Sequence, residues 1–195
     1  TCALPISIAN ALKRANPSYR AAHFGKWQWP APYSPDAMGY DVSDGITMNA
    51  DGTSQDPNDP KLTFGITARA KTFMEQQVNE GHPFYLQLSY YATHGPNQAL
   101  ASTLENYSGD DAVLAAMTED LDTGIGMLLE KLDELGITEN TYVIYMSDNG
   151  MDSGILRGAK ALLDEGGLRV PLVVRGPGID ANVYSNVPVV GYDIY

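Results

Sequence analysis

Ser147-Asp148-Asn149-Gly150 closes an apolar run, Tyr142-Val143-Ile144-Tyr145-Met146, with a carboxylate and an amide oxygen. The run reads as a buried strand, and oxygen ligands at its end suit a hard cation. Lys160 follows in Leu156-Arg157-Gly158-Ala159-Lys160, ahead of the glycine-rich Glu165-Gly166-Gly167-Leu168-Arg169-Val170-Pro171. Hard-cation ligands beside an ammonium point charge suit an anionic ester. Asp-Asn-Gly is also a good turn sequence in its own right, so these residues alone leave a plain turn and a metal site both open. Calcium takes about six to eight oxygens, more than Asp148 and Asn149 supply.

Lys26 lies between Gly25 and Trp27, and Lys160 between Gly158 and the Glu165-Gly166-Gly167 turn. Glycines there suit close backbone approach. A lysine is ordinarily a solvated surface charge; these two are read as contacts for an oxyanion. His94 ends the segment that starts at Pro83 and precedes Gly95-Pro96. A lone histidine is ordinarily structural or exposed, yet it can also donate a proton near neutral pH. Gln28 can hydrogen-bond through its amide but cannot exchange protons. Trp27 and Trp29 could form a platform for a sugar or aryl ring, although packing is the commoner use of tryptophan. Arg157 and Arg169 flank the Lys160 loop and read as structural, with Arg169 pinning the turn through Glu165. Asp120 and Asp122 fall in a helical register that suggests packing or solvent. His23 and His82 read as structural.

The elements that must position these groups follow from the apolar periodicity. Ile8 to Arg14 reads as the end of a short helix, stopped near Asn16-Pro17. Tyr19 to Phe24, Phe84 to Ser89, Tyr142 to Ser147 and Val170 to Val174 read as strands. Leu62 to Val78 has helical spacing, with Ile66, Ala70, Phe73 and Val78 on one side, and Gly81 ends it. A long helix capped by Asp110 or Asp111 runs to Leu135, with the stripe Val113, Met117, Leu121, Ile125, Leu128, Leu132 and Leu135. Gly136 stops it. Trp27 to Pro60 is punctuated by prolines and glycines, and a loop that long is usually functional. Strands alternating with helices predict an α/β fold with a mostly parallel sheet. In such sheets ligands sit beyond the carboxyl ends of the strands. Lys26, His94, Asp148 and Asn149 each lie just after a predicted strand, so the architecture predicts their convergence at one edge.

Four stretches, in order, resemble one family. His23-Phe24-Gly25-Lys26-Trp27, the strand ending in His94, the helix from Glu119-Asp120-Leu121-Asp122 to Leu135-Gly136, and the Asp148-Asn149 to Pro171 stretch are similar to the catalytic core of a type I sulfatase. That family belongs to the alkaline-phosphatase-like superfamily. The resemblance covers nearly the whole chain after Pro17. It implies a three-layer α/β sandwich with a mostly parallel central sheet, incomplete in this chain. It implies hydrolysis of a sulfate ester to an alcohol and sulfate. Asp148 and Asn149 would supply half of a calcium site, Lys26 and Lys160 would contact the sulfate, and His94 would contact the sulfate or protonate the departing alcohol. The nucleophile would be a formylglycine made from a signature cysteine upstream of the lysine segment. Gln28 departs from the family, whose members carry histidine directly after Gly-Lys-Trp, and it is kept as a site candidate. The partners implied are sulfated small molecules or sulfated polysaccharides, and the location periplasmic or secreted. Two other readings stay open. One is a phosphodiesterase or phosphonate monoester hydrolase of the same superfamily; the other is a pseudoenzyme that binds sulfated glycans without cleaving them.

The family signature Cys-x-Pro/Ala-x-Arg has no counterpart here, because Cys2 is followed by Ala3-Leu4-Pro5-Ile6. Residues 1–7 are therefore expected to be an upstream remnant or non-native, and 8–195 a partial catalytic domain truncated at both ends. Thr1 to Ile6 can be written as the translation of a sequencing-adapter tail; raw reads running on into genomic sequence would overturn that. At 195 residues the chain could bury one ordinary core. Its net charge of −12 argues against a nucleic-acid surface, which needs a basic face. No apolar run is long enough to span a membrane. One cysteine gives neither a disulfide framework nor a zinc cluster.

Overall fold

A computed structural model describes residues 7–49, 56–151 and 154–194; Cys2 and its neighbours lie outside that set. The chain divides into two compact units, one ending at Leu135 and one from Gly136 to Ile194.

The first unit is built on three parallel strands in the order β2-β1-β3: β1 (Arg20–Gly25), β2 (Val42–Ser43) and β3 (Phe84–Ser89). Register runs from Arg20↔Phe84 to Gly25↔Ser89. β1 is buried on both faces because its alternating residues enter different clusters. Ala22 and Phe24 join Ile66, Ala70, Phe73 and Tyr91, with Leu86 and Leu88 packed beside them. Ala21 joins Ala9, Met38 and Tyr40, with Tyr85 and Trp27 beside them. The period of two thus sends successive residues to opposite layers. Each fully buried Ile or Phe here contributes about 1.5–3 kcal/mol.

Helix α1 (Ile8–Ala15) is capped by Ser7, whose Oγ accepts the Asn10 N–H at 3.0 Å. Lys13 ties it to the neighbouring loop through Asp41 at 2.7 Å. Helix α2 (Thr63–Glu80) starts after Leu62, and Asp59 satisfies its first N–H groups by accepting from Phe64 and Gly65. It stops at Gly81, whose φ of 70° suits glycine. The expected stripe holds for Ile66, Ala70 and Phe73, but Gln77 is buried in place of Val78, which is half-buried. α3 (Ala101–Leu104) is a single turn. α4 (Ala112–Glu134) packs on α2 and α3. The expected carboxylate cap is absent. Asp111 occupies the N-cap position with φ −96° and ψ 9°, outside the extended region from which a cap side chain reaches the first turn, and it makes no cap hydrogen bond.

In the second unit β4 (Val143–Met146) pairs antiparallel with β5 (Leu172–Arg175), and α5 (Glu165–Leu168) is one turn. The first of these strands was expected to be buried. Instead Ile144, Tyr145, Met146, Leu172, Val173 and Val174 are all exposed, because a two-stranded ribbon leaves both its faces without a covering layer.

Candidate active site

Lys26 leaves the carboxyl end of β1 through Gly25, whose φ is +98°. A Cβ at Gly25 would overlap the carbonyl oxygen of Ser89 on β3. That same oxygen accepts the Lys26 N–H at 2.7 Å. Residues 44–48 clamp the other side. Asp44 Oδ2 accepts the Gly25 N–H at 2.7 Å and pairs with Arg69 at 2.8 Å. The Thr47 hydroxyl donates to Gly25 O at 2.9 Å and accepts the Trp27 N–H at 2.8 Å. The Lys26 side chain is half-buried, and Gln28 is exposed.

Beneath this turn lies His23, fully buried. Its Nε2 shares a 3.0 Å hydrogen bond with Ser89 Oγ. The ring meets Trp27 edge-on at 4.8 Å and Tyr40 at 5.7 Å. Burial pushes its pKa down to about 4, against an opposing pull from the Asp44 carboxylate. His23 is therefore neutral in the folded protein at ordinary pH, in keeping with the structural role read from the sequence. What the sequence did not disclose is that this residue supports the residue holding Lys26.

His94 lies beyond β3, on the sheet edge from which Lys26 also emerges. Its N–H donates to Tyr91 O at 2.8 Å, and Nδ1–H donates to Gly95 O at 2.8 Å. That tautomer leaves Nε2 as the free pole of an exposed ring. Two buried side chains, Lys61 and Asp120, brace the following loop. Lys61, 3% exposed, donates to Pro96 O at 3.0 Å, and burial lowers its pKa. Asp120, 4% exposed, accepts from Leu100 N at 2.8 Å and Thr103 Oγ1 at 2.6 Å. The helical register suggested packing or solvent for Asp120, and the side chain is packed. The register could not show the carboxylate anchoring the chain that follows His94.

Asp148 and Asn149 follow β4. Ser147 Oγ donates to Asn149 O at 2.9 Å, and Asn149 Nδ2 donates to Gly150 O at 2.9 Å. Committing its nitrogen leaves Asn149 Oδ1 as an available ligand beside the exposed Asp148 carboxylate. Backbone hydrogen bonds bind the segment to the glycine-rich turn. Gly150 N–H donates to Gly167 O at 3.0 Å, Lys160 N–H to Met151 O at 2.7 Å, and Gly166 N–H to Arg157 O at 2.8 Å. A Cβ at Gly150 would overlap Gly166 O, and one at Gly166 would overlap Gly158 O. Close backbone approach, expected from the glycines, is thus what joins the Asp148-Asn149 turn to the half-buried Lys160. Arg157 pairs with Asp164 at 3.2 Å, and Arg169 with Glu165 at 3.6 Å as the sequence suggested.

Lys26 and His94 belong to the first unit, and Asp148, Asn149 and Lys160 to the second. Among the described residues no group of three or more His, Cys, Asp or Glu side chains gathers as a metal site. The hard oxygens of Asp148 and Asn149 do fit a calcium ion, as part of its shell. Among the described residues no helix is long and apolar enough to cross a membrane.

The family model described as Sulfatase matches residues 5–190. An ulvan-active sulfatase of Formosa agariphila is 27% identical over 90% of this chain and 42% of its own length. The steryl-sulfatase of Rattus norvegicus is 35% identical over 65% of this chain and 24% of its own. The solved structure of Ps i-CgsB, also known in complex with k-i-k-neocarrahexaose, superposes with a TM-score of 0.75 at 25% identity, covering 88% of this chain and 47% of that one. The chain thus spans less than half the length of these relatives.

Proposed function

This chain belongs to the sulfatase family, and from that membership we propose that the complete gene product hydrolyses sulfate esters of polysaccharides or small alcohols to the free alcohol and sulfate. The observation that carries the reading is the family match over residues 5–190, which spans Lys26, His94, Asp148, Asn149 and Lys160. The relatives named for ulvan and bound to a neocarrahexaose favour a sulfated polysaccharide.

The roles are those the family resemblance implies, and the local geometry leaves the groups they need available. Lys26 and Lys160 place ammonium charges against the sulfate oxygens and offset charge that builds on the transferred group. Each is set by its backbone N–H, donated to Ser89 O and to Met151 O. His94 holds its Nε2 toward the departing alcohol, because Nδ1–H is committed to Gly95 O. Asp148 and Asn149 Oδ1 would supply part of a calcium shell, and the cation would polarise the sulfate oxygens. The nucleophile by resemblance is a formylglycine outside this chain. A location outside the cytoplasm goes with this reading.

Gln28 favours a second reading, a protein that binds sulfated glycans without cleaving them, because an amide cannot replace a proton-exchanging histidine. One experiment decides. The complete gene product is incubated with a sulfated polysaccharide and with 4-nitrophenyl sulfate, with and without EDTA, and free sulfate is measured. Release that EDTA abolishes and calcium restores supports the sulfatase. Retention on sulfated polysaccharide with no release from either ester supports the binder.

A further inference from the structure

Trp29 is 66% exposed, and the arch that carries it is braced at its base. Trp27, two residues earlier, is used for packing: its ring lies edge-on to His23 and Tyr40. Its indole N–H donates to Tyr33 O at 2.8 Å, and Tyr33 N–H donates to Pro30 O at 3.0 Å. Trp27 N–H is in turn fixed to Thr47. Pro30, Pro32 and Pro35 further restrict the backbone. Core packing accounts for Trp27 and leaves Trp29 unexplained. One exposed side chain is not a patch; what sets Trp29 apart is that its loop is braced and leaves directly from Lys26.

We propose that Trp29 is the stacking face for a sugar ring of the polysaccharide substrate, on the ring that bears the sulfate or the one beside it. The proposal rests on the sulfatase reading for the position of the sulfate at Lys26. Trp29 lies three residues beyond Lys26, so their Cα atoms are at most about 11 Å apart, close enough for one glycan to touch both. An indole offers a broad rigid face to the apolar side of a pyranose at little entropic cost. The charge of the chain makes such a contact valuable. The net −12 of this chain repels a polyanionic glycan at long range. A neutral aromatic contact avoids that repulsion, and salt does not screen it as it screens the lysine contacts.

The test uses the complete gene product with Trp29→Ala and Trp29→Tyr. KM and kcat for sulfate release from a sulfated polysaccharide, and retention on a gel carrying that polysaccharide, are read at low and high salt. Trp29→Ala is expected to raise KM about three- to tenfold with kcat unchanged, to weaken retention at both salt concentrations, and to be largely rescued by Trp29→Tyr. Unchanged KM and retention in Trp29→Ala, or a loss confined to kcat, would overturn the stacking role. Wild-type protein that is retained without releasing sulfate removes the sulfatase reading, and retention of Trp29→Ala then decides this inference alone. Wild-type protein that neither binds nor cleaves removes both.

Discussion

The turn after β1 and the turn after β4 both present candidate ligands at the carboxyl end of a strand, but they are held by different means. Around Lys26 the supports are buried or half-buried side chains: His23 on Ser89, Asp44 on Gly25, Thr47 on Gly25 and Trp27. Around Asp148 and Lys160 the supports are backbone groups packed glycine against glycine, on strands whose apolar side chains stay exposed. The first turn is consequently sensitive to chemistry such as protonation or loss of a hydroxyl. Both are sensitive to volume, since a methyl group at Gly25 or at Gly150 meets a backbone carbonyl.

Substituting glycine in either turn is expected to have the largest effect. Gly25→Ala must overlap Ser89 O and also adopt φ +98°, and should cost about 3–5 kcal/mol in urea unfolding of the complete gene product. Gly150→Ala meets the Gly166 carbonyl without the adverse φ, and should cost less while releasing Lys160 N–H from exchange protection. Equal costs would show that the two turns are not held differently.

Protonation should separate them next. Folding lowers the His23 pKa from 6.5 to about 4, so between those values the unfolded chain binds a proton that the folded chain does not. Stability contributed by neutral His23 is then complete above about pH 6.5 and is lost as pH falls toward 4, by roughly 3 kcal/mol in all. Melting temperatures of wild type and His23→Gln across that window should converge on acidification. Parallel curves would remove His23 as the acid-sensitive support.

Asp120→Ala strands the Leu100 N–H and the Thr103 hydroxyl, and should cost about 2–3 kcal/mol, with faster proteolysis of the loop after His94. Resistance equal to wild type would mean that Lys61 alone suffices there. At the small end, Arg169→Ala breaks an exposed 3.6 Å pair and should change stability by less than about 0.5 kcal/mol. A larger loss would mean that the glycine-rich turn depends on side chains after all.

The strands and helices were legible because their apolar periods are long and clean: Phe84 to Ser89 is the strand expected, and α2 and α4 lie within two residues of their expected bounds. β2 was missed because two residues between turns carry no period. The candidate ligands were legible from residue type and from family order, which do not need coordinates. Their supports were not, because Ser89 lies 66 residues from His23 and Asp120 lies 20 from Leu100, and nothing local marks such pairs.

By itself the sequence determined the α/β class, the family, the oxygen and ammonium groups available for chemistry and the places where only glycine would serve. These are properties of residue type and short-range spacing. Tertiary structure decided which faces are buried, that β4 and β5 pair antiparallel, and that neutral His23 and buried Asp120 are structural supports. It also decided that Trp27 packs while Trp29, two residues on, faces solvent. Burial and long-range hydrogen bonding depend on which distant segments meet, and that is fixed only when the chain has folded.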